Sequence, residues 1–145
     1  MPSPFRLDHQ AINVRDMAAS VRFYAEILGL PEVENPMGKG PIRWFQLAGG
    51  TNLHLVPGNA TPPAERGIGT HLALAVADFD ACVVRLTAAG LEFVQMPGRI
   101  GKITSRPDGV RQCFIRDPDG FWIEINDARP RPLGSPHRPP PWSSA

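Results

Sequence analysis

Hydrophobic and polar residues alternate along four short segments of the 145-residue chain. Alternation with a period of two is the mark of a strand with one buried face. The apolar positions predicted to face the core are Ile12, Val14, Leu53, Leu55, Leu72, Leu74, Val76, Phe121, Ile123 and Ile125. Because successive side chains point to opposite faces, the other face carries His9, His54, His71 and Glu124.

One pattern occurs twice, as LDHQAINVRDMAASV at 7–21 and as GTHLALAVADFDACV at 69–83. In both copies an Asp follows the His by seven residues, where the strand must stop. An Asp there is a good helix N-cap, because its carboxylate accepts hydrogen bonds from free N–H groups. Apolar residues then recur at helical spacing up to Gly29 and Gly90, so each copy is predicted to contain one helix.

After each helix the sequence predicts an extended piece, 30–33 or 91–95, then a Gly/Pro-rich loop and a pair of strands. The pairs are 42–48 with 51–56 and 110–116 with 121–126, joined by the turns AGGT and DPDG. The predicted fold class is therefore α+β, with two tandem βαβββ modules at 6–57 and 69–127. Together they are expected to form an open, U-shaped mixed sheet around a cavity, as one structural domain.

Residues 128–145 contain six prolines and are interpreted as a tail, which Trp142 could dock on the body or on a second subunit.

The charges are balanced, with 15 Lys and Arg against 14 Asp and Glu, which argues against nucleic acid as a partner. No apolar run has the length of a signal peptide or of a membrane span, so a cytoplasmic protein is expected. Cys82 and Cys113 are interpreted as reduced apolar fillers.

The outward face suggests a metal centre. Three imidazoles and one carboxylate, from His9, His54, His71 and Glu124, suit Zn, Ni, Fe, Mn or Co better than calcium. Such a set leaves open positions on a five- or six-coordinate metal, where a small-molecule substrate would bind. The fourth histidine of the chain, His137, lies in the tail.

The same strands supply candidate substrate contacts. Trp44, Gln46, Gln112 and Phe114 are expected to line the cavity, because Phe45, Leu47, Cys113 and Ile115 make a consistent buried face beside them. Several cations could also meet an anionic substrate. These are Arg43, Arg99, Lys102, Arg106 and Arg111.

The duplicated unit, the first-strand His of each copy and the DPDG-F-W-I-E-I-N ending resemble the vicinal-oxygen-chelate superfamily over about residues 6–127. Glyoxalase I, methylmalonyl-CoA epimerase, the fosfomycin-resistance thiol transferase, extradiol dioxygenases and bleomycin-binding proteins belong to it. The resemblance implies a metal held at the positions of His9, His54, His71 and Glu124. His54 departs from the pattern, since glyoxalase I has a carboxylate there and the epimerase an amide.

Three functions follow from the resemblance. A glyoxalase-type lyase or isomerase would use the metal to polarise a carbonyl, with Glu124 as the candidate base. An extradiol dioxygenase would hold Fe(II) with His9, His71 and Glu124, leaving His54 for acid–base work. A drug-binding resistance protein would need no metal. Thiol transfer to fosfomycin fits less well, because that enzyme has Thr at the position of Ala11.

Family members of this size usually form homodimers. The metal site could lie within one chain, or it could combine His9 and His54 with His71 and Glu124 of a partner chain. The sequence leaves this choice open.

Overall fold

The computed structural model of the chain describes residues 4–59, 67–96 and 101–130. They form two open four-stranded mixed sheets accompanied by helices, which confirms the α+β class and the tandem modules. The first sheet contains β1 (His9–Val14), β2 (Glu32–Val33), β3 (Arg43–Gln46) and β4 (Asn52–Pro57). The second contains β5 (His71–Ala75), β6 (Ile103–Ser105), β7 (Arg111–Arg116) and β8 (Trp122–Asn126).

Both predicted helices begin at their Asp. Asp16 accepts a hydrogen bond from Ala19 N at 3.1 Å, and Asp78 accepts one from Ala81 N at 2.9 Å. Helix α1 (Met17–Val21) continues as a π-helical segment (Arg22–Ile27), whereas α2 (Phe79–Ala88) is regular. The sequence pattern does not predict the wider turn of the π segment. This turn brings the adjacent aromatics Phe23 and Tyr24 both into the core.

The two sheets have the same strand order, β1-β4-β3-β2 and β5-β8-β7-β6. In each, the first strand runs parallel to the last, and the last two strands form the predicted hairpin. The register places Ala11 opposite His54 and Ala73 opposite Glu124. His54 and Glu124 therefore occupy equivalent positions in the two modules.

The second edge strand differs from the prediction. Residues 91–95 form no strand and contribute a single bridge, between Val94 and Phe114. The partner of β7 is instead β6, which lies in the segment predicted to be a loop. The free edge of β7 needs hydrogen-bond partners, and the β-branched Ile103 and Thr104 suit an extended conformation.

The apolar faces of both sheets and both helices join in one core, and the predicted inward residues are buried or partly buried in it. Hydrogen bonds from Tyr24 and Arg15 of the first module link the two modules at the DPDG turn. Tyr24 Oη donates to Asp117 Oδ2 at 2.9 Å, and Arg15 Nε donates to Asp119 Oδ1 at 2.7 Å. The DPDG pattern indicates only a hairpin connection, but its buried carboxylates also tie the second module to the first.

No helix among the described residues has the length and apolar character needed to cross a membrane.

Candidate metal centre

In the first module, three aromatic rings are stacked on the outward face of the sheet. The ring of His54 lies between His9, at 4.3 Å between centroids, and Trp44, at 3.7 Å. This follows from the register, because Trp44 lies opposite His54 on β3 and the end of β1 brings His9 alongside. His54 is only 7% exposed, whereas the side chain of His9 is 45% exposed.

His54 has an unused nitrogen. Its Nε2 is buried and has no hydrogen-bond partner among the residues that the structure describes. Burial, reinforced by the nearby His9, lowers the pKa of His54 below its usual 6.5. The ring is therefore neutral at pH 7, and a neutral imidazole can either bind a metal or accept a proton.

His9 is oriented by its neighbour in sequence. Its Nδ1 lies 2.9 Å from Asp8 Oδ2, and this hydrogen bond lowers the pKa of Asp8. An ionised carboxylate can only accept, so Nδ1 is the protonated nitrogen and Nε2 carries the lone pair. A histidine that donates one ring N–H to a carboxylate and presents its other nitrogen is the usual arrangement of a metal ligand.

The second module repeats this arrangement with a backbone acceptor. His71 Nδ1 lies 2.8 Å from the carbonyl oxygen of Ile68, so Nδ1 must donate. Nε2 of the neutral ring then carries a lone pair, yet it lies 3.2 Å from Glu124 Oε2. A lone pair facing a carboxylate oxygen requires a cation between them, which is either a second ring proton or a metal ion.

Glu124 is 6% exposed and has further partners. Asn126 Nδ2 donates to its Oε1 at 2.7 Å, and Arg106 Nη1 lies 3.8 Å from the same oxygen. Arg106 itself is held by two hydrogen bonds to Asp108. Oε1 thus accepts one hydrogen bond, from Asn126, and lies within ion-pair distance of Arg106, while Oε2 faces His71.

The four candidate ligands come together as two pairs. His9 and His54 meet in the first module, and His71 and Glu124 meet in the second. Among the described residues, no three His, Cys, Asp or Glu side chains lie close enough to hold one ion. The expected convergence of all four on one metal is therefore not provided by the described part of a single chain.

The four predicted substrate contacts differ from one another. Trp44 stacks on His54, and Phe114 packs edge-on to His71 with 5.5 Å between ring centroids. Gln112 is buried, with its amide nitrogen 3.4 Å from both Met96 Sδ and Thr104 Oγ1. Gln46 is exposed at the end of β3. The two aromatic residues thus border the histidines, whereas the amide nitrogen of Gln112 is directed at Met96 and Thr104.

Three supporting groups escape prediction from the sequence pattern. Asp8, the carbonyl of Ile68 and the amide of Asn126 each hold a candidate ligand. Comparison of the two repeats does not indicate Asp8, because the second repeat has Thr70 at that place. A backbone carbonyl leaves no signal in the side-chain pattern, so Ile68 could not have been found.

The family described as the Glyoxalase/Bleomycin resistance protein/Dioxygenase superfamily matches residues 6–125. The uncharacterized protein YwbC of Bacillus subtilis (strain 168) is 31% identical over 125 residues, covering 83% of this chain and 95% of that protein. The structure of the oxidase ChaP-H2 has a TM-score of 0.68 and 32% identity, covering 92% of this chain and 98% of its own. TnmS3, an antibiotic binding protein from Streptomyces sp. CB03234, has a TM-score of 0.61 and 26% identity, covering 84% and 94%.

Proposed function

The chain belongs to the Glyoxalase/Bleomycin resistance protein/Dioxygenase superfamily, and we propose that it is a metal-dependent enzyme in which His9, His71 and Glu124 hold a divalent metal. His54 moves a proton beside it. The observation that carries this proposal is the pair His71 and Glu124. Nε2 lies 3.2 Å from Oε2, although Nδ1 already donates to Ile68.

That distance fits a shared ion. Two ligand atoms that each lie about 2.0–2.2 Å from one metal are roughly 3 Å apart when they are neighbours in its coordination sphere. The donor types also agree, since two imidazoles and one carboxylate form the facial triad of non-haem Fe(II) oxygenases. The hydrogen bonds made by Asp8, Ile68 and Asn126 are of the kind that orients ligands in such sites.

A complete triad needs a His9 beside His71 and Glu124. We propose that this His9 comes from a second copy of the chain. In the described structure β1 and β5 each pair on one side only, so both strands present an open edge. The exposed face of β1 carries His9, and Phe5 and Leu7 just before it are 85% and 64% exposed. A two-fold dimer would cover this surface and create two identical sites.

His54 is a better proton carrier than Glu124. The carboxylate already accepts from Asn126 and faces Arg106 and His71, which leaves it little capacity for a substrate proton. His54 is neutral, and its Nε2 is free of partners in the described chain. This supports a role for His54 in proton transfer and leaves Glu124 as a ligand.

The reaction class that these roles favour is an oxygenase acting on a small aromatic diol. When bound, Fe(II) would supply Lewis acidity and one-electron chemistry with oxygen. The protein would orient the substrate against Trp44 and Phe114 and take one hydroxyl proton on His54. The similarity to the oxidase ChaP-H2 supports this class. Oxygen uptake with catechol and Fe(II)-loaded protein tests it, and no uptake would exclude it.

A glyoxalase-type lyase or isomerase is the second candidate. A neutral, unpartnered His54 could equally carry a proton between adjacent carbons without oxygen. Turnover of methylglyoxal hemithioacetal by the Ni, Zn, Mn or Co protein, in the absence of oxygen uptake, would favour this activity. If the chain binds no metal but binds an antibiotic, as the antibiotic binding protein TnmS3 does, it is a binding protein and not an enzyme.

A further inference from the structure

The two carboxylate oxygens of Glu124 have different surroundings. Oε2 lies 3.2 Å from His71 Nε2, on the side where the proposed metal would bind. Oε1 accepts a hydrogen bond from Asn126 Nδ2 at 2.7 Å and lies 3.8 Å from Arg106 Nη1. A carboxylate can bind a metal through one oxygen or through both. The partners of Oε1 therefore bear on which of these Glu124 does.

Asn126 is fixed so that its amide nitrogen points at Glu124. The side chain is buried, and its Oδ1 accepts a hydrogen bond from Ala128 N at 3.0 Å. A backbone N–H can only donate and an ionised carboxylate can only accept, so both ends of the amide are assigned by their partners. The hydrogen bond to Oε1 opposes rotation of the carboxylate and uses one lone pair of that oxygen.

Arg106 places a fixed positive charge beside the same oxygen. Its Nε and Nη2 donate to Asp108 at 3.2 and 2.6 Å, which leaves Nη1 for Glu124. The backbone holds this arrangement, because Gly109 N donates to the Arg106 carbonyl at 2.9 Å and Arg106 N donates to the Val110 carbonyl at 2.7 Å. A metal ion that approached Oε1 would be repelled by the guanidinium at short range.

The equivalent place in the first module carries no amide. Two residues beyond Glu124 on β8 is Asn126, whereas two residues beyond His54 on β4 is Val56. An imidazole has no second oxygen that would need to be restrained. The amide thus accompanies the carboxylate and is not a general feature of the repeated strand.

We propose that Arg106 and Asn126 are positioning residues that keep Oε1 of Glu124 from the metal, so that the carboxylate binds through Oε2 alone. On a six-coordinate metal the triad of His9, His71 and Glu124 then occupies three positions and leaves three open. Use of both oxygens would leave two. Two diol oxygens and dioxygen together need three, so the restraint preserves what an oxygenase requires. The inference rests on the proposed function, because it concerns one ligand of its triad.

The test counts the open positions with Mn(II) bound to the full chain in the absence of substrate. Electron paramagnetic resonance of free Mn(II) gives the affinity, and the relaxation rate of water protons gives the number of water molecules on the bound ion. In the double variant Arg106→Leu/Asn126→Val, we expect Glu124 to bind through both oxygens. The bound ion should lose one of three waters, so its effect on water relaxation should fall by about a third. The affinity should rise, because one more oxygen binds and a repelling charge is gone.

Arg106→Leu alone alters a partly exposed side chain, and it should move both values in the same direction even if the double variant does not fold. Arg116→Leu is the matched control, since it removes a guanidinium that lies over Trp122, 4.1 Å from the ring centroid, and it should change neither value. An unchanged water count in the Arg106 variants, with Mn(II) binding equal to or weaker than that of the wild type, would overturn the inference. A wild type that binds no Mn(II) would overturn the proposed metal centre, and the inference with it.

Discussion

His54 and Glu124 occupy the same register position in the two sheets, opposite Ala11 in the first and opposite Ala73 in the second. Their surroundings are nevertheless different. His54 is stacked between two aromatic rings and has a nitrogen without a partner in the described chain, whereas Glu124 is surrounded by donors. Equivalent positions of a duplicated unit have thus acquired different chemistry, and this supports the division between proton carrier and ligand.

His54→Gln separates these two roles. If His54 carries a proton, the variant should bind Fe(II) as the wild type does but lose about 10²- to 10⁴-fold in kcat, the usual contribution of acid–base catalysis. Metal content by mass spectrometry and oxygen uptake with catechol would be measured on the same sample. His137→Ala, at the one histidine outside the proposed set, is the control. Loss of metal from His54→Gln would return His54 to the ligand set.

Asp8→Asn tests the orientation of His9. The hydrogen bond from His9 Nδ1 to Asp8 holds Nε2 as the presented nitrogen, and an amide would hold it less firmly. Removal of a partner that orients a metal ligand costs about 10- to 100-fold in metal affinity. Titration with Zn²⁺ in a calorimeter measures this, with Asp16→Asn, at a helix N-cap, as the control. Unchanged affinity would mean that Asp8 is only a surface neighbour of His9.

Much of this arrangement could be predicted from the sequence, because it depends on local periodicity. Alternation in β1 and β4 correctly separated Ile12 and Leu55 from His9 and His54. The repeat also predicted both helix starts. Contacts between distant segments could not be predicted in this way. Strand β6 is defined by its pairing with β7, and sequence periodicity does not contain that pairing.

The hydrogen bond between Tyr24 and Asp117 is a second contact that sequence periodicity could not predict, since 93 positions separate the two residues. Burial raises the pKa of Asp117 above its usual 3.8, and the hydrogen bond from Tyr24 opposes that rise. A carboxyl whose pKa is raised in the folded state contributes stability at low pH that is lost as the pH rises through the folded pKa. Because Tyr24→Phe removes the hydrogen bond that opposes the rise of the Asp117 pKa, it should enlarge this loss of stability with rising pH.

We therefore expect Tyr24→Phe to lower the free energy of unfolding by about 1–3 kcal/mol near pH 7 and by less near pH 4. Urea denaturation at both pH values provides the measurement. Asp117→Asn should reduce the pH dependence in the same range. A destabilisation by Tyr24→Phe that is the same at both pH values would show that the hydroxyl does not act through Asp117.

The two cysteines should be inert in the folded protein. Cys82 and Cys113 are both buried, and burial raises the pKa of Cys113 to about 12. The reactive thiolate of Cys113 is therefore scarce at neutral pH, and burial shields both sulfur atoms from reagent. A disulfide reagent such as DTNB should label neither thiol in native protein and both after unfolding in guanidinium chloride. Rapid labelling of either thiol in the native state would contradict the burial.

In the proposed dimer, one metal is held by His9 of one chain and by His71 and Glu124 of the other. Mixing His9→Ala with His71→Ala, unfolding and refolding them together, and isolating the heterodimer by differential tags shows whether the ligands come from two chains. Each variant alone should bind no metal, because every site in its homodimer lacks one ligand. The heterodimer should bind one metal ion, since one of its two sites then has all its ligands. A heterodimer without metal, or variants that each bind as much as the wild type, would contradict the claim.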